Sequence, residues 1–219
     1  MSIPSKDNGV PGKYQRPGKG EIAGCGMQFA YAIMGMLFLA GLILYLVVRY
    51  NSAQWPPEGY PGLPSGLWFS TLVLLLSSAT LALAHASASS GRTALLKISM
   101  ALTFLLGLAF LVLQCLNWVE LWRSVGPLLA DQAPKPLADL APGVLPANPG
   151  FYVSLFYILT GLHAAHVLGG VIWLCTSALA TLRGYYLPTR LGGLGALSQY
   201  WHFLDVVWIV LFATLLLTT

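Results

Sequence analysis

An all-α membrane bundle of five transmembrane helices is the fold class that the sequence predicts, and two observations carry that expectation. Hydrophobic residues make up 57% and charged residues 8% of the 219-residue chain, with a mean hydropathy of +0.72. Soluble domains carry about 25% charged residues. The second observation is a set of five apolar stretches, each long enough to cross a hydrocarbon core of about 30 Å, which takes about 20 helical residues. No stretch alternates over a strand's length, which excludes a membrane β-barrel. The spans use up most of the chain, so any chemistry has to sit in the bilayer or on partners rather than in a separate soluble domain.

Residues 1–26 read as a flexible tail, rich in Gly and Pro and carrying Lys6, Lys13, Arg16 and Lys19. Ile22-Ala23-Gly24-Cys25 resembles a lipoprotein cleavage box, but the apolar stretch lies after the cysteine and not before it, and no cleavable signal peptide is expected. The spans are expected at 27–48, 67–88, 98–119, 151–182 and 197–219, within a transmembrane domain of residues 27–219. Trp55 to Pro64 and the Pro-rich stretch Pro127 to Pro149 read as connections at one end of the bundle. The tail, the Gly91–Lys97 turn and the Arg183–Ala196 loop hold most of the 11 basic residues, leaving Arg49, Arg123 and Lys135 on the other side. The positive-inside rule then puts the N-terminus inside and the C-terminus outside. The expected location is a bacterial inner membrane, with a mitochondrial inner membrane as the alternative.

A net charge of +4 suggests no nucleic-acid partner, because the bases are scattered over loops and form no run. Cys25, Cys115 and Cys175 show neither a disulfide framework nor zinc spacing. Trp55, Trp68, Trp118 and Trp122 fall near the expected interfaces and read as an aromatic belt.

Polar residues inside the spans are the candidates for function, since a charge at mid-bilayer costs about 2.5–3.5 kcal/mol on insertion scales. His202 and Asp205 are three apart and share a face of the last span. The topology puts His85 at a similar level, so that these three could meet. His163 and His166 are again three apart, near the middle of the fourth span. Helix three brings Gln114, Asn117 and Glu120. The Ser77, Ser78, Thr80 cluster and the small residues Gly35, Gly41, Gly161, Gly169 and Gly170 allow close helix approach.

Three chemistries compete for these groups. Four histidines raise haem or metal ligation, and His85 with His202 is the one pair that crudely fits a bis-histidine haem. His202 with Asp205 also fits a proton relay, although no second acid lies within the spans. The third reading makes the histidines hydrogen-bonding struts between helices. It needs no cofactor, and we expect no metal site and no catalytic residue on this chain.

Three segments carry a resemblance. Tyr200, Trp201, His202, Phe203, Leu204, Asp205, Val206, Val207, Trp208 resembles the last-helix signature YWHFxDxVW of subunit III of the haem-copper oxidases. Phe156, Tyr157, Leu159, Thr160, Gly161, Leu162, His163, Ala164, Ala165, His166, Val167 is similar to that family's FYxLTGxHxxHV pattern, and Ser70 to Thr80, with Ser77 and Ser78, to its NTxxLLxSS segment. The matches come in the family's order. The five spans look like the shorter forms of a family that often has seven. Gly26, Met27 and Phe29 fit the family's GMxxFxxSE pattern loosely, with Met34 at the glutamate position, and Asn117 stands where a glutamate is common.

The resemblance implies an accessory subunit of a proton-pumping terminal oxidase, with no redox centre of its own. Haem and copper would reside on partner subunits I and II, and this chain would pack against subunit I, bind phospholipid and support proton uptake. His202 and Asp205 would lock helices near the side of proton entry, and His163 and His166 would be struts. The rivals are a quinol oxidase subunit III, a nitric oxide reductase accessory protein, a stand-alone transporter and a b-type cytochrome.

Overall fold

A computed structural model of the chain describes residues 19–52, 55–56, 59, 61–130, 149–183 and 192–218. They form α1 (Lys19–Asn51), α2 (Gly66–Ser89), α3 (Thr93–Ala130), α4 (Pro149–Leu182) and α5 (Gly192–Thr218), with no strand among the described residues. All five helices are long and apolar enough to cross a membrane. Residues 1–18 of the expected tail, Glu58, most of the Pro-rich connection with Lys135, and residues 184–191 lie outside the described residues.

The helices outrun the expected spans. Residues 19–26, expected in the tail, belong to α1; α3 runs on to Ala130, past the expected start of a connection at Pro127; and α5 begins at Gly192. An apolar window marks where hydrocarbon ends. A helix has no reason to stop there, since its backbone groups still find their best partners along its own axis. Pro127 is tolerated in the last turn of α3, where its missing N–H removes a single ladder bond.

The α2–α3 connection is a tight helix hairpin, with Ser90, Gly91 and Arg92 between the two helices. Gly91 takes a left-handed φ of +69°, Arg92 N–H donates to Ser87 O at 2.9 Å, and Gly91 N–H donates to Ala88 O at 3.2 Å. This paired reversal satisfies the last carbonyls of α2 and needs glycine at the left-handed position. We call the end of the bundle that holds this turn the basic end.

From the hairpin the bundle closes in sequence: α3 packs on α4, α4 on α5, and α5 returns to α2, while α1 lies against α4 and α5. Small residues set the close approaches. A side chain on Gly107 of α3 or Gly170 of α4 would collide with the Trp201 indole, whose ring atoms lie 2.9 Å from either Cβ position. Gly41 of α1 makes similar room for Leu159 of α4. Of the glycines expected to serve this purpose, Gly41 and Gly170 do so; Gly35 and Gly161 face nothing within 4 Å, and Gly169 has only the Tyr200 hydroxyl at 3.8 Å.

Helix α1 leaves Phe29, Ile33, Met36, Leu39 and Ile43 exposed, as a lipid-facing surface does. Its far end is clamped to α5: Arg49 Nε donates to Thr218 O at 3.0 Å, and the buried Tyr45 hydroxyl meets Thr218 Oγ1 at 2.8 Å. We expect Tyr45→Phe to cost about 0.6 kcal/mol, the average for an interhelical hydrogen bond in a membrane protein, measured by thermal unfolding of the purified chain in detergent. A loss above about 2 kcal/mol would mean that the hydroxyl does more than tie α1 to α5.

Candidate functional site

Three tryptophan N–H groups bridge helices in one repeated arrangement. Trp201 Nε1 donates to Ser77 Oγ at 3.0 Å, Trp208 Nε1 to Thr71 Oγ1 at 2.9 Å, and Trp118 Nε1 to Thr160 Oγ1 at 3.1 Å. In each case the hydroxyl gives its own proton to a carbonyl of its own helix: Leu74, Leu67 and Phe156 respectively. Back-bonding of this kind is the usual option for Ser and Thr in a helix. It fixes the hydroxyl and leaves a lone pair aimed outward, so an indole, which can only donate, is its natural partner. Trp118, expected in the interfacial belt, is therefore a fastening between α3 and α4. Trp55 packs edge-on between Tyr45 and Tyr152, with ring centroids 5.5 and 5.0 Å away. Trp68 and Trp122 remain exposed, in keeping with the belt.

We expect Ser77→Ala to cost about 1–3 kcal/mol, since it leaves the buried indole N–H of Trp201 without an acceptor. Ser77→Thr, which keeps the oxygen, should recover most of that loss in the same unfolding measurement. Equal losses for the two variants would argue against the bond.

Around these bridges sit the titratable candidates. His202 Nδ1 and Ser78 Oγ share a 2.7 Å hydrogen bond between α5 and α2. Asp205 Oδ2 lies 3.6 Å from the same Nδ1, too long for a hydrogen bond. The His202 side chain is 41% exposed and that of Asp205 6%. The expected meeting of His85, His202 and Asp205 does not occur. His85 Nε2 lies against Gly195, and His85 is seven residues along α2 from Ser78, the partner of His202, so about 10 Å of helix rise separates the two levels. Ser78 falls at the middle of the Gly66–Ser89 span, which sets His202 and Asp205 opposite the middle of α2 rather than its end.

His163 and His166 diverge. The His163 ring is fully buried among Trp208, Phe110 and Phe38, with centroids at 4.9, 5.8 and 6.1 Å. His166 Nδ1 donates to Leu162 O of its own helix at 2.8 Å, and its ring packs on Phe38 at 5.3 Å. Both imidazoles join helices by ring packing rather than by hydrogen bonds. Tyr200 supplies the polar tie between α5 and α4, its hydroxyl donating to His166 O at 2.9 Å. Among the described residues, no three His, Cys, Asp or Glu side chains come together as a metal-holding group.

Comparison with known proteins decides what this set of fastenings belongs to. A sequence model of the family described as "Cytochrome c oxidase subunit III" matches residues 144–218, which hold the whole of α4 and α5. Similar proteins include cytochrome c oxidase subunit 3 of Cyprinus carpio, 34% identical over 163 residues, and of Marchantia polymorpha, 32% identical over 165. The chain belongs to the subunit III family. Each match covers 74% of this chain and 54% of the relative, so the chain spans about half the length of the curated relatives it matches.

The signature positions of the subunit III family have distinct places in the structure. Trp201, Trp208, Thr160 and Ser77 form indole–hydroxyl bridges; Ser78 holds His202; and Phe203 stacks on Tyr31 of α1 at 5.4 Å. Gly161 has no close neighbour. Met34, at the family's glutamate position, is half-buried in α1. Asn117, at another acidic position, is buried with its side-chain oxygen against Gly66 of α2. The bridges escape a reading of one sequence, which gives Trp and Ser or Thr their helix faces but not their partners.

Proposed function

We propose that this chain is an accessory subunit of a proton-pumping haem-copper terminal oxidase in aerobic respiration. It stabilises the catalytic subunit, supports proton uptake and carries no redox centre of its own. The observation that carries this reading is where the family signature falls: its indoles and hydroxyls are spent on joining one helix to another. Ser77, Thr71 and Thr160 accept indole protons, and Tyr200 reaches across to His166 O. His163 is boxed by aromatic rings. Side chains used in this way give the bundle a fixed shape for a partner to pack against.

In the proposed assembly haem and copper belong to the partner subunits, with subunit I in direct contact and phospholipid at the lipid-facing helices. The basic end, with Arg92, Lys97 and Arg183, faces the cytoplasm of a bacterial inner membrane, or the matrix in a mitochondrion, as the positive-inside rule requires. The test is isolation of the complex through a tag on this chain in mild detergent. Haem- and copper-bearing chains at a fixed ratio, with oxygen consumption sensitive to removal of this chain, are expected. A preparation that holds this chain and lipid only would overturn the proposal.

A further inference from the structure

The outward seam between α2 and α5 is more polar than a lipid-facing surface should be. Gln199 is exposed, and His85, Ser78 and His202 are half-buried, along a line that runs from the basic end to the middle of α2. Ser78 occupies His202 Nδ1, so Nε2 is the one remaining hydrogen-bonding atom of that ring, and no described residue bonds to it. Two hydroxyls elsewhere in the spans satisfy themselves. Thr176 and Thr214 give their protons to carbonyls of their own helices. An imidazole side chain that is 41% exposed opposite the middle of α2 has no such outlet. Polar side chains within a span face protein or water, because hydrocarbon offers them nothing.

The neighbouring residues match that requirement. On α2, Ser78, Ala82 and Ala86 succeed one another at intervals of four, with Ala79 exposed beside them. Small residues at that spacing let a second helix backbone approach closely. Val206, 60% exposed, continues the surface one turn beyond His202 on α5. The seam thus combines close approach with a hydrogen-bonding group at one depth.

We infer that the α2–α5 seam around Ser78, Ala82, His202 and Val206 is the docking surface for a transmembrane helix of the haem-bearing subunit. That helix presents a hydroxyl or amide side chain to His202 Nε2. Either group can donate or accept, so it serves both imidazole tautomers. This rests on the proposed function and adds the face through which the contact is made.

The test is photo-crosslinking in the intact complex, with p-benzoylphenylalanine in place of Ala82 or Val206 on the seam, and of Leu105 or Ile158 on other exposed faces. Adducts to the haem-bearing subunit from the two seam positions, and few from the other two, are expected. His202→Phe should lower co-purified haem per chain several-fold, with partial recovery in His202→Gln. The inference is overturned if adducts form from Leu105 and Ile158 but not from the seam, or if the seam captures a second copy of this chain. It is also overturned if the seam captures lipid alone. Haem that co-purifies while the seam stays uncrosslinked removes this surface and leaves the proposed function standing. A complex without any haem-bearing chain removes both.

Discussion

Trp201→Ala is expected to lower the unfolding free energy of the purified chain by about 3–5 kcal/mol, the range for truncating a large buried aromatic. The indole is 1% exposed, lies in the narrow space that Gly107 and Gly170 leave open, and donates to Ser77 Oγ. Removing it leaves a cavity where α2, α3, α4 and α5 converge, and rigid helices cannot collapse into it. The converse substitution carries the same sign. Gly170→Val puts a branched side chain where a single Cβ already comes within 2.9 Å of Trp201 and 3.1 Å of Tyr200, and overpacking of this kind costs about 1–3 kcal/mol. Thermal unfolding in detergent measures both. If Trp201→Ala unfolded within about 1 kcal/mol of the parent, the indole would not be the wedge that spaces these helices.

Asp205→Ala ranks next, at about 0.5–3 kcal/mol, the usual range for a point substitution, with its clearest effect on retention of this chain in the complex. Asp205 is buried on α5 beside the Ser78–His202 bond, with its carboxylate 3.6 Å from His202 Nδ1. Alanine leaves a void there and removes the carboxylate packed beside the imidazole. Asp205→Asn keeps the shape and a hydrogen-bonding oxygen, so it should retain most of the stability that alanine loses. The comparison separates packing from charge. If asparagine is as damaging as alanine, the charge matters; if neither variant alters unfolding or subunit retention, Asp205 has no locking role. The measurements are unfolding in detergent and the ratio of this chain to its co-purified partners through repeated turnover.

Much of the fold was legible because a bilayer makes strong demands on sequence. Five apolar runs of sufficient length, a glycine at the α2–α3 reversal, and the grouping of Lys and Arg fix the number of spans and suggest their direction. The ends of the helices were not legible. Hydropathy reports the hydrocarbon boundary and not the last helical bond, which is why residues 19–26 and 120–130 continue α1 and α3. The candidate site was legible as a list and not as an arrangement. The Ser78–His202 contact sets His202 opposite the middle of α2, two turns from the level of His85, and a choice of register between two helices cannot be read from either one alone.

Likewise His163 and His166, three apart, read in the sequence as hydrogen-bonding struts between helices. The neighbours decide otherwise: Trp208 and Phe110 enclose one ring, while the other turns to Phe38 and its own helix carbonyl. Gly107 escaped notice because only its distance from Trp201 distinguishes it from other glycines. The hydroxyls of Ser77, Thr71 and Thr160 gain their meaning from indoles 124, 137 and 42 residues away in the chain.

The central claim is that the imidazoles and the carboxylate within the spans hold helices in place and carry no electron. It is tested most directly by separating this chain from its complex and measuring haem, iron and copper against protein, together with an absorption spectrum. The account predicts a folded helical chain with no Soret band and no stoichiometric metal, the haem and copper remaining with the companion subunits. A Soret band or one bound metal per chain, abolished by substitution of His85, His163, His166 or His202, would contradict it.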